Sequence, residues 1–182
     1  MIIETKRLIL RTFLESDYKD VFDYLKSPTV NCFQDMKTSS IEEAKRELIK
    51  RVKEKNECYF AICIKDSEKV IGEVFSEPEQ YNEDTYSPCW MINSEYQRQG
   101  FAYEAISAYL EYLFTSKNAR RIYIYTEDYN IACQKLCEKL GMRKEGLFLE
   151  FISFVNNADG TPKYENTFQY AILKKEWIEL HS

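Results

Sequence analysis

The 182-residue chain has little glycine, proline or histidine: five, four and one. The five glycines include no three at the spacing of a Rossmann fingerprint, and no Gly-Lys-Ser/Thr element of a P-loop is present. The only histidine, His181, stands next to the C-terminus, so Ser-His-Asp and Cys-His catalysis are set aside. No apolar run approaches the roughly 20 residues that span a bilayer, and no membrane role is expected. A net charge of −5 gives no basic field, so nucleic acid is not expected as a partner. The opening MIIETKRLILRTF has no signal-peptide core and reads as a strand. None of the six cysteines forms a C-x-x-C pair, which fits reduced thiols in a cytoplasm. Cys133 and Cys137 share a helix face, but two thiols make a poor zinc site and no metal is expected.

What is present is a 45% hydrophobic, 30% charged chain of one-domain length, taken as a single domain over residues 1–182. Residues 5–13 read as a strand and 15–27 as a helix stopped by Pro28. Ser40 and Glu43 form a capping-box pattern before a helix carrying Ile41, Ala44, Leu48, Ile49 and Val52. Strands follow at 57–65, 69–77 and 84–93, with Pro88 marking an irregularity in the third. Ala102, Ala105, Ile106, Tyr109, Leu110 and Leu113 then repeat at helical spacing. A strand at 121–126 and a helix at 130–141 come next, the helix capped by Asn130 and stopped by Gly141. Two last strands lie near 146–155 and 166–174. This order predicts a mixed α/β fold. It has one twisted, mostly antiparallel sheet, helices on both faces, and a parallel crossover from 84–93 through the helix to 121–126.

The stretch YQRQGFAYEA, residues 96–105, places one of the scarce glycines directly before the strongest helix. The first amides of a helix have no intrahelical partner and carry partial positive charge, so they suit a pyrophosphate. Gly100 permits close approach, Ala102 keeps the turn small, and Gln97 and Arg98 offer side-chain donors. Alone, the pattern also fits a plain loop glycine before a helix.

Gln97-Arg98-Gln99-Gly100-Phe101-Ala102 resembles the Q/R-x-x-G-x-G/A motif of GNAT-superfamily N-acetyltransferases. TKRLILR, CWMINSEYQRQGFAYEA, NIACQKLCEKLGMRKEG and YAILKKEW resemble, in order, four blocks of its ribosomal-protein alanine acetyltransferase (RimJ/RimL-like) branch. The resemblance implies the GNAT fold, with acetyl-CoA as donor between splayed strands 84–93 and 121–126. It implies pantetheine pairing by the backbone of Met91 and Ile92. It implies a pyrophosphate on the amides of Arg98, Gln99, Gly100, Phe101, Ala102 and Tyr103, and a cofactor contact from Asn130. A homodimer is also a habit of such families.

Two departures bear on catalysis. Cys133 stands where the branch usually has a serine, a proposed proton donor to the coenzyme A sulfur; it also fits the apolar stripe of its helix as a core residue. Tyr86-Ser87-Pro88-Cys89-Trp90 lacks the glutamate and glycine of the branch's Glu-x-Gly-Tyr-Trp. Glu73, on the neighbouring strand, is the substitute for the base, or else a solvated strand residue. Phe33, Tyr81, Tyr86 and Phe148 suggest an aromatic acceptor pocket, with ordinary packing the simpler reading. The expected activity is acetyl transfer to a primary amine, foremost a protein N-terminal α-amine. The rivals are a polyamine, aminoglycoside or amino-acid acetyltransferase and an inactive CoA-binding module.

Overall fold

The structure is a computed structural model, described for residues 2–182. In chain order the strands are β1 (Ile2–Glu4), β2 (Leu8–Arg11), β3 (Tyr59–Ile64), β4 (Val70–Phe75), β5 (Pro78–Glu79), β6 (Asn82–Tyr86), β7 (Cys89–Ile92), β8 (Arg121–Glu127), β9 (Arg143–Asn156) and β10 (Pro162–Leu173). The helices are α1 (Tyr18–Leu25), α2 (Ile41–Lys53), α3 (Phe101–Thr115), α4 (Ile131–Lys139) and α5 (Lys174–Leu180). Short 3-10 turns occupy Asn31–Met36 and Ser94–Tyr96.

The fold is the expected mixed α/β type, but its strands form two five-stranded sheets rather than one. Their orders are β1-β2-β3-β4-β7 and β5-β6-β8-β10-β9. The cause lies in the run expected as a single strand at 84–93. It breaks at Ser87-Pro88 into β6 and β7. Proline has no N–H to give to a ladder, so pairing is interrupted there. Before the break, Thr85 and Tyr86 pair in parallel with Arg121 and Ile122 of β8. After it, β7 pairs antiparallel with β4, Glu73 opposite Met91. The chain thus hands itself from one sheet to the other at the proline.

Strand alternation sets the layers. On β3, Phe60 and Ile62 face the core under α3, while Ala61 and Cys63 face the core under α1 and α2. The expected α3 stripe is fully buried at Ala105, Ile106, Tyr109, Leu110 and Leu113. Other expectations shift in detail. The strand at 5–13 is β1 and β2 around a turn in which the Thr5 N–H donates to the Leu8 carbonyl (2.9 Å). Ser40 Oγ accepts from Glu43 N at 3.2 Å, while the Glu43 carboxylate takes the Ser39 amide instead of the Ser40 amide. Gly141 ends α4 at φ +78°, with Met142 N donating to Cys137 O.

One polar contact crosses the second core. Arg51 of α2 grips Glu73 of β4 with Nε at 2.6 Å and Nη2 at 2.9 Å, and both side chains are almost fully buried. Tyr24 and Tyr59 hydroxyls, at 3.3 and 3.1 Å, complete the shell of the carboxylate. Removing one partner strands a buried charge, so Arg51→Met is expected to destabilise the fold by about 3–5 kcal/mol. The double variant Arg51→Met/Glu73→Leu should recover much of that loss. Urea unfolding of both would check this; equal stability of wild type and Arg51→Met would contradict it.

Candidate active site

The handover at Pro88 leaves two strand edges facing each other without a ladder. β7 is the last strand of its sheet, and β8 pairs with β6 only at its first two residues. Between them opens a cavity of about 570 Å³. Its walls are Pro88 with residues 89–92 of β7, 124–127 of β8, and the cap Asn130 with residues 131–133, 135 and 136 of α4. Thr29, Val30, Cys32 and Phe33 close one end; Gln97, Arg98 and Ala102 stand at the other.

The position of β7 is set by Gly72. A Cβ there would lie 2.1 Å from the Met91 carbonyl oxygen, so only glycine lets β7 approach β4 this closely. The sequence reading did not single this residue out.

The turn before α3 has the form expected for an anion cradle. Arg98 and Gly100 both adopt left-handed backbone, at φ +59° and +83°. Among the described residues, the amides of residues 98–103 find no acceptor within the protein, and pairing resumes with Glu104 N to Gly100 O. Successive free amides at a helix start form a nest for anions. The side chains of Gln97 and Gln99 are used otherwise: they donate to the carbonyls of Ile92 (3.1 Å) and Glu95 (2.9 Å) and brace the turn. Arg98 takes part in no ion pair among the described residues and lines the cavity. Phe101 and Tyr103 lie outside the lining, under the cations of Arg7 (4.2 Å) and Lys139 (4.1 Å).

Arg7 is a bracing residue that the sequence reading passed over. Its guanidinium reaches Gln99 O at 3.1 Å and Glu104 Oε2 at 2.6 Å, and its main-chain N–H also binds Glu104. It ties the turn at 5–7 to the underside of the glycine turn.

Across the cavity, Asn130 caps α4 by accepting from Cys133 N at 3.2 Å and also lines the space. Cys133 lines it too, while packing against the core. Its thiol is held below the ordinary value, chiefly by the Cys137 thiol, with burial opposing. Burial pushes Cys89 up to about 12, and pushes Cys32 up further with the help of Glu127. Thr126 Oγ1 is buried against the cavity and has no hydrogen-bond partner among the described residues.

Glu73 is not brought to this site. It is fully buried on the α1/α2 side, saturated by Arg51 and two tyrosines, and absent from the cavity wall. A carboxylate so held cannot meet an incoming amine, so the base expected at Glu73 does not fit its position. Of the aromatic residues suggested for the acceptor, Phe33 lines the cavity. Tyr86 is buried in the core, Tyr81 is exposed, and Phe148 packs on Tyr125 at the rim (5.9 Å between ring centroids).

The acetyltransferase (GNAT) domain model matches residues 7–143. The chain belongs to the GNAT acetyltransferase family. It is 32% identical over 177 residues to the uncharacterized N-acetyltransferase YnaD of Bacillus subtilis (strain 168), covering 97% of this chain and 99% of that protein. A GNAT-family acetyltransferase of Bacillus anthracis superposes with a TM-score of 0.83 at 26% identity, over 96% of this chain and 99% of that one. The spermidine/spermine N-acetyltransferase SpeG of Vibrio cholerae shares the fold, with a TM-score of 0.74 at 20% identity, over 98% and 100%. The chain is thus an N-acetyltransferase of the GNAT type, and GNAT enzymes use acetyl-CoA.

Two predictions concern the frame of this GNAT site. Gly72→Ala is expected to cost about 1–3 kcal/mol, because the methyl group drives β7 off β4. A Tm equal to that of the wild type would contradict the close approach. In limited alkylation at pH 8, Cys133 is expected to react before the other five cysteines, since it combines a lowered pKa with a cavity-lining position. Peptide mass mapping reads the order; first reaction at Cys32 or Cys89 would contradict it.

Proposed function

We propose that the chain is an acetyl-CoA-dependent N-acetyltransferase of the RimJ/RimL-like type, acting in the cytoplasm on the α-amine of a protein N-terminus. The observation that carries the donor assignment is the run of amides at residues 98–103 that find no acceptor among the described residues, with left-handed backbone at Arg98 and Gly100. In this reading the amides of Arg98, Gln99, Gly100, Phe101, Ala102 and Tyr103 hold the pyrophosphate, and Arg98 adds charge. The free edge of β7 at Met91 and Ile92 pairs with the pantetheine as a strand would. Asn130 and the Thr126 hydroxyl meet it from the β8–α4 side. Acetyl-CoA then supplies the activated acyl group.

The protein residues do the rest. In this reading a backbone N–H along β7 stabilises the developing oxyanion. Cys133, on the cavity wall, returns a proton to the departing thiolate. An α-amine, with a pKa of about 8, is partly neutral near pH 7, so the demand on a base is smaller than for a lysine at about 10.4. The rim supports a peptide acceptor. Tyr125 lines the cavity and continues outward into Phe148 and Phe151, an apolar wall suited to the side chains that follow an N-terminus. A polyamine is the second reading, favoured by the fold shared with SpeG.

Calorimetry with acetyl-CoA, NAD and ATP tests the donor. Micromolar binding of acetyl-CoA alone is expected, and Gly100→Val should weaken it by about tenfold or more, since φ +83° and the crowded nest exclude a branched side chain. Equal binding of all three ligands, or unchanged affinity in Gly100→Val, would contradict the assignment. Cys133→Ala should lower kcat by about 100-fold with affinity retained. A loss below tenfold would return Cys133 to a packing role. Turnover of an unblocked peptide over spermidine supports the protein acceptor, and the reverse supports the polyamine.

A further inference from the structure

Among the described residues three glutamates are buried, and two of them have their carboxylates held by donors of the protein. Glu73 is gripped by Arg51. Glu165 accepts from Asn31 Nδ2 at 2.5 Å and from the Tyr129 hydroxyl at 3.3 Å. Glu127, the last residue of β8, is different. It is 5% exposed and lines the cavity. Among the described residues it enters no ion pair, and no nitrogen donor reaches its carboxylate; the amide of Gln134 goes instead to the carbonyls of Glu127 and Asp128.

The groups that face it are thiols and a phenol, with the Cys32 thiol as a hydrogen-bond donor to it, and none is a cation. They are Cys32 from the turn at 31–36, Cys89 from β7, Cys133 from α4 and Tyr129 from the loop after β8. Thr167 lies directly opposite on β10. A buried ion without a counter-ion costs several kcal/mol. A cationic ligand entering the cavity would supply the missing charge. The two ends of the cavity are then opposite in sign: Arg98 at the anionic donor's end and Glu127 toward the end closed by Cys32 and Phe33.

We propose that Glu127 is the catalytic carboxylate that receives the acceptor's ammonium group and takes its proton, and that the acceptor is a primary amine bearing one positive charge at this point. The proposal rests on the acetyl-transfer reading above. In the step, an N–H bond of the ammonium breaks and its proton passes to a Glu127 oxygen. The freed lone pair forms the C–N bond at the thioester carbonyl carbon. The C–S bond breaks and coenzyme A leaves as thiolate. A second N–H proton is lost as the amide forms, matching the proton taken up by the thiolate, and Glu127 returns the first to solvent. One free carboxylate matches one ammonium, and Tyr125, Phe148 and Phe151 beside it match an apolar residue behind that ammonium.

The test uses Glu127→Gln and Glu127→Asp, with an unblocked peptide beginning Ala-Phe, its N-acetylated form, and spermidine. Glu127→Gln removes a buried charge, so its Tm should not fall. Its acetyl-CoA affinity should equal that of the wild type. Binding of the unblocked peptide to the CoA-saturated protein should weaken by about tenfold or more, and kcat should fall by about 100-fold. Glu127→Asp, which keeps the carboxylate, should restore turnover in part. Peptide binding and turnover of Glu127→Gln within threefold of the wild type would overturn the role of Glu127 and leave the acetyl-transfer reading standing. Wild-type protein that binds acetyl-CoA but neither the unblocked peptide nor spermidine would overturn it too, as would equal binding of the N-acetylated peptide. Absence of acetyl-CoA binding would overturn both readings.

Discussion

The structure depends on a strand that cannot stay in one sheet. Ser87-Pro88 separates β6 from β7, and the chain crosses from the sheet of β8 to the sheet of β4 within two residues. Everything at the site follows from that crossing. It leaves the edge of β7 and most of the facing edge of β8 without partners, and an unpaired edge is a template for another extended chain. The cost is contained because the cleft is walled by α4 and by the loop at 29–33. Gly72 fixes one wall by letting β7 press against β4, and Arg7 fixes the floor of the glycine turn.

Buried charge divides the molecule into parts that hold the fold and a part that waits for a ligand. Arg51 and Glu73 satisfy each other inside the α1/α2 core, and the tyrosines around them leave no lone pair to spare. Glu127 has the same side chain at similar burial and, among the described residues, no cation. The difference lies in what faces each group. The first looks at a helix that carries its counter-ion, the second at an open cavity. The same contrast holds for the backbone: helical amides are paired from Glu104 onward, and those of residues 98–103 are not.

Much of this was legible in the sequence. The α3 stripe repeats over a long segment, and its period alone identifies the buried face. The glycine turn was legible because it joins a scarce residue type to a helix start, and Asn130 and Gly141 were legible as caps by their chemistry. Pro88 gave notice of an irregularity, but sheet membership on either side of it depends on strands far away in the chain. Glu73 was misplaced for a similar reason. Alternation tells that a strand residue faces one side, not that Arg51, 22 residues earlier in a basic helix, covers that side. Glu127 was missed because its burial comes from the segments around Cys32 and β10, which no local pattern links to it. The available signal was its place at the carboxyl end of a strand beside the chain's crossing point, where ligands of open α/β sheets gather.

The central claim is that the gap between β7 and β8, with the glycine turn at its mouth, is the coenzyme A site. Its most direct test is amide-resolved NMR of the protein titrated with coenzyme A. The account predicts that the amides of residues 98–103 and those of Met91 and Ile92 shift first and furthest, together with Asn130 and Thr126. Shifts concentrated elsewhere, with the glycine turn unmoved at saturation, would contradict it.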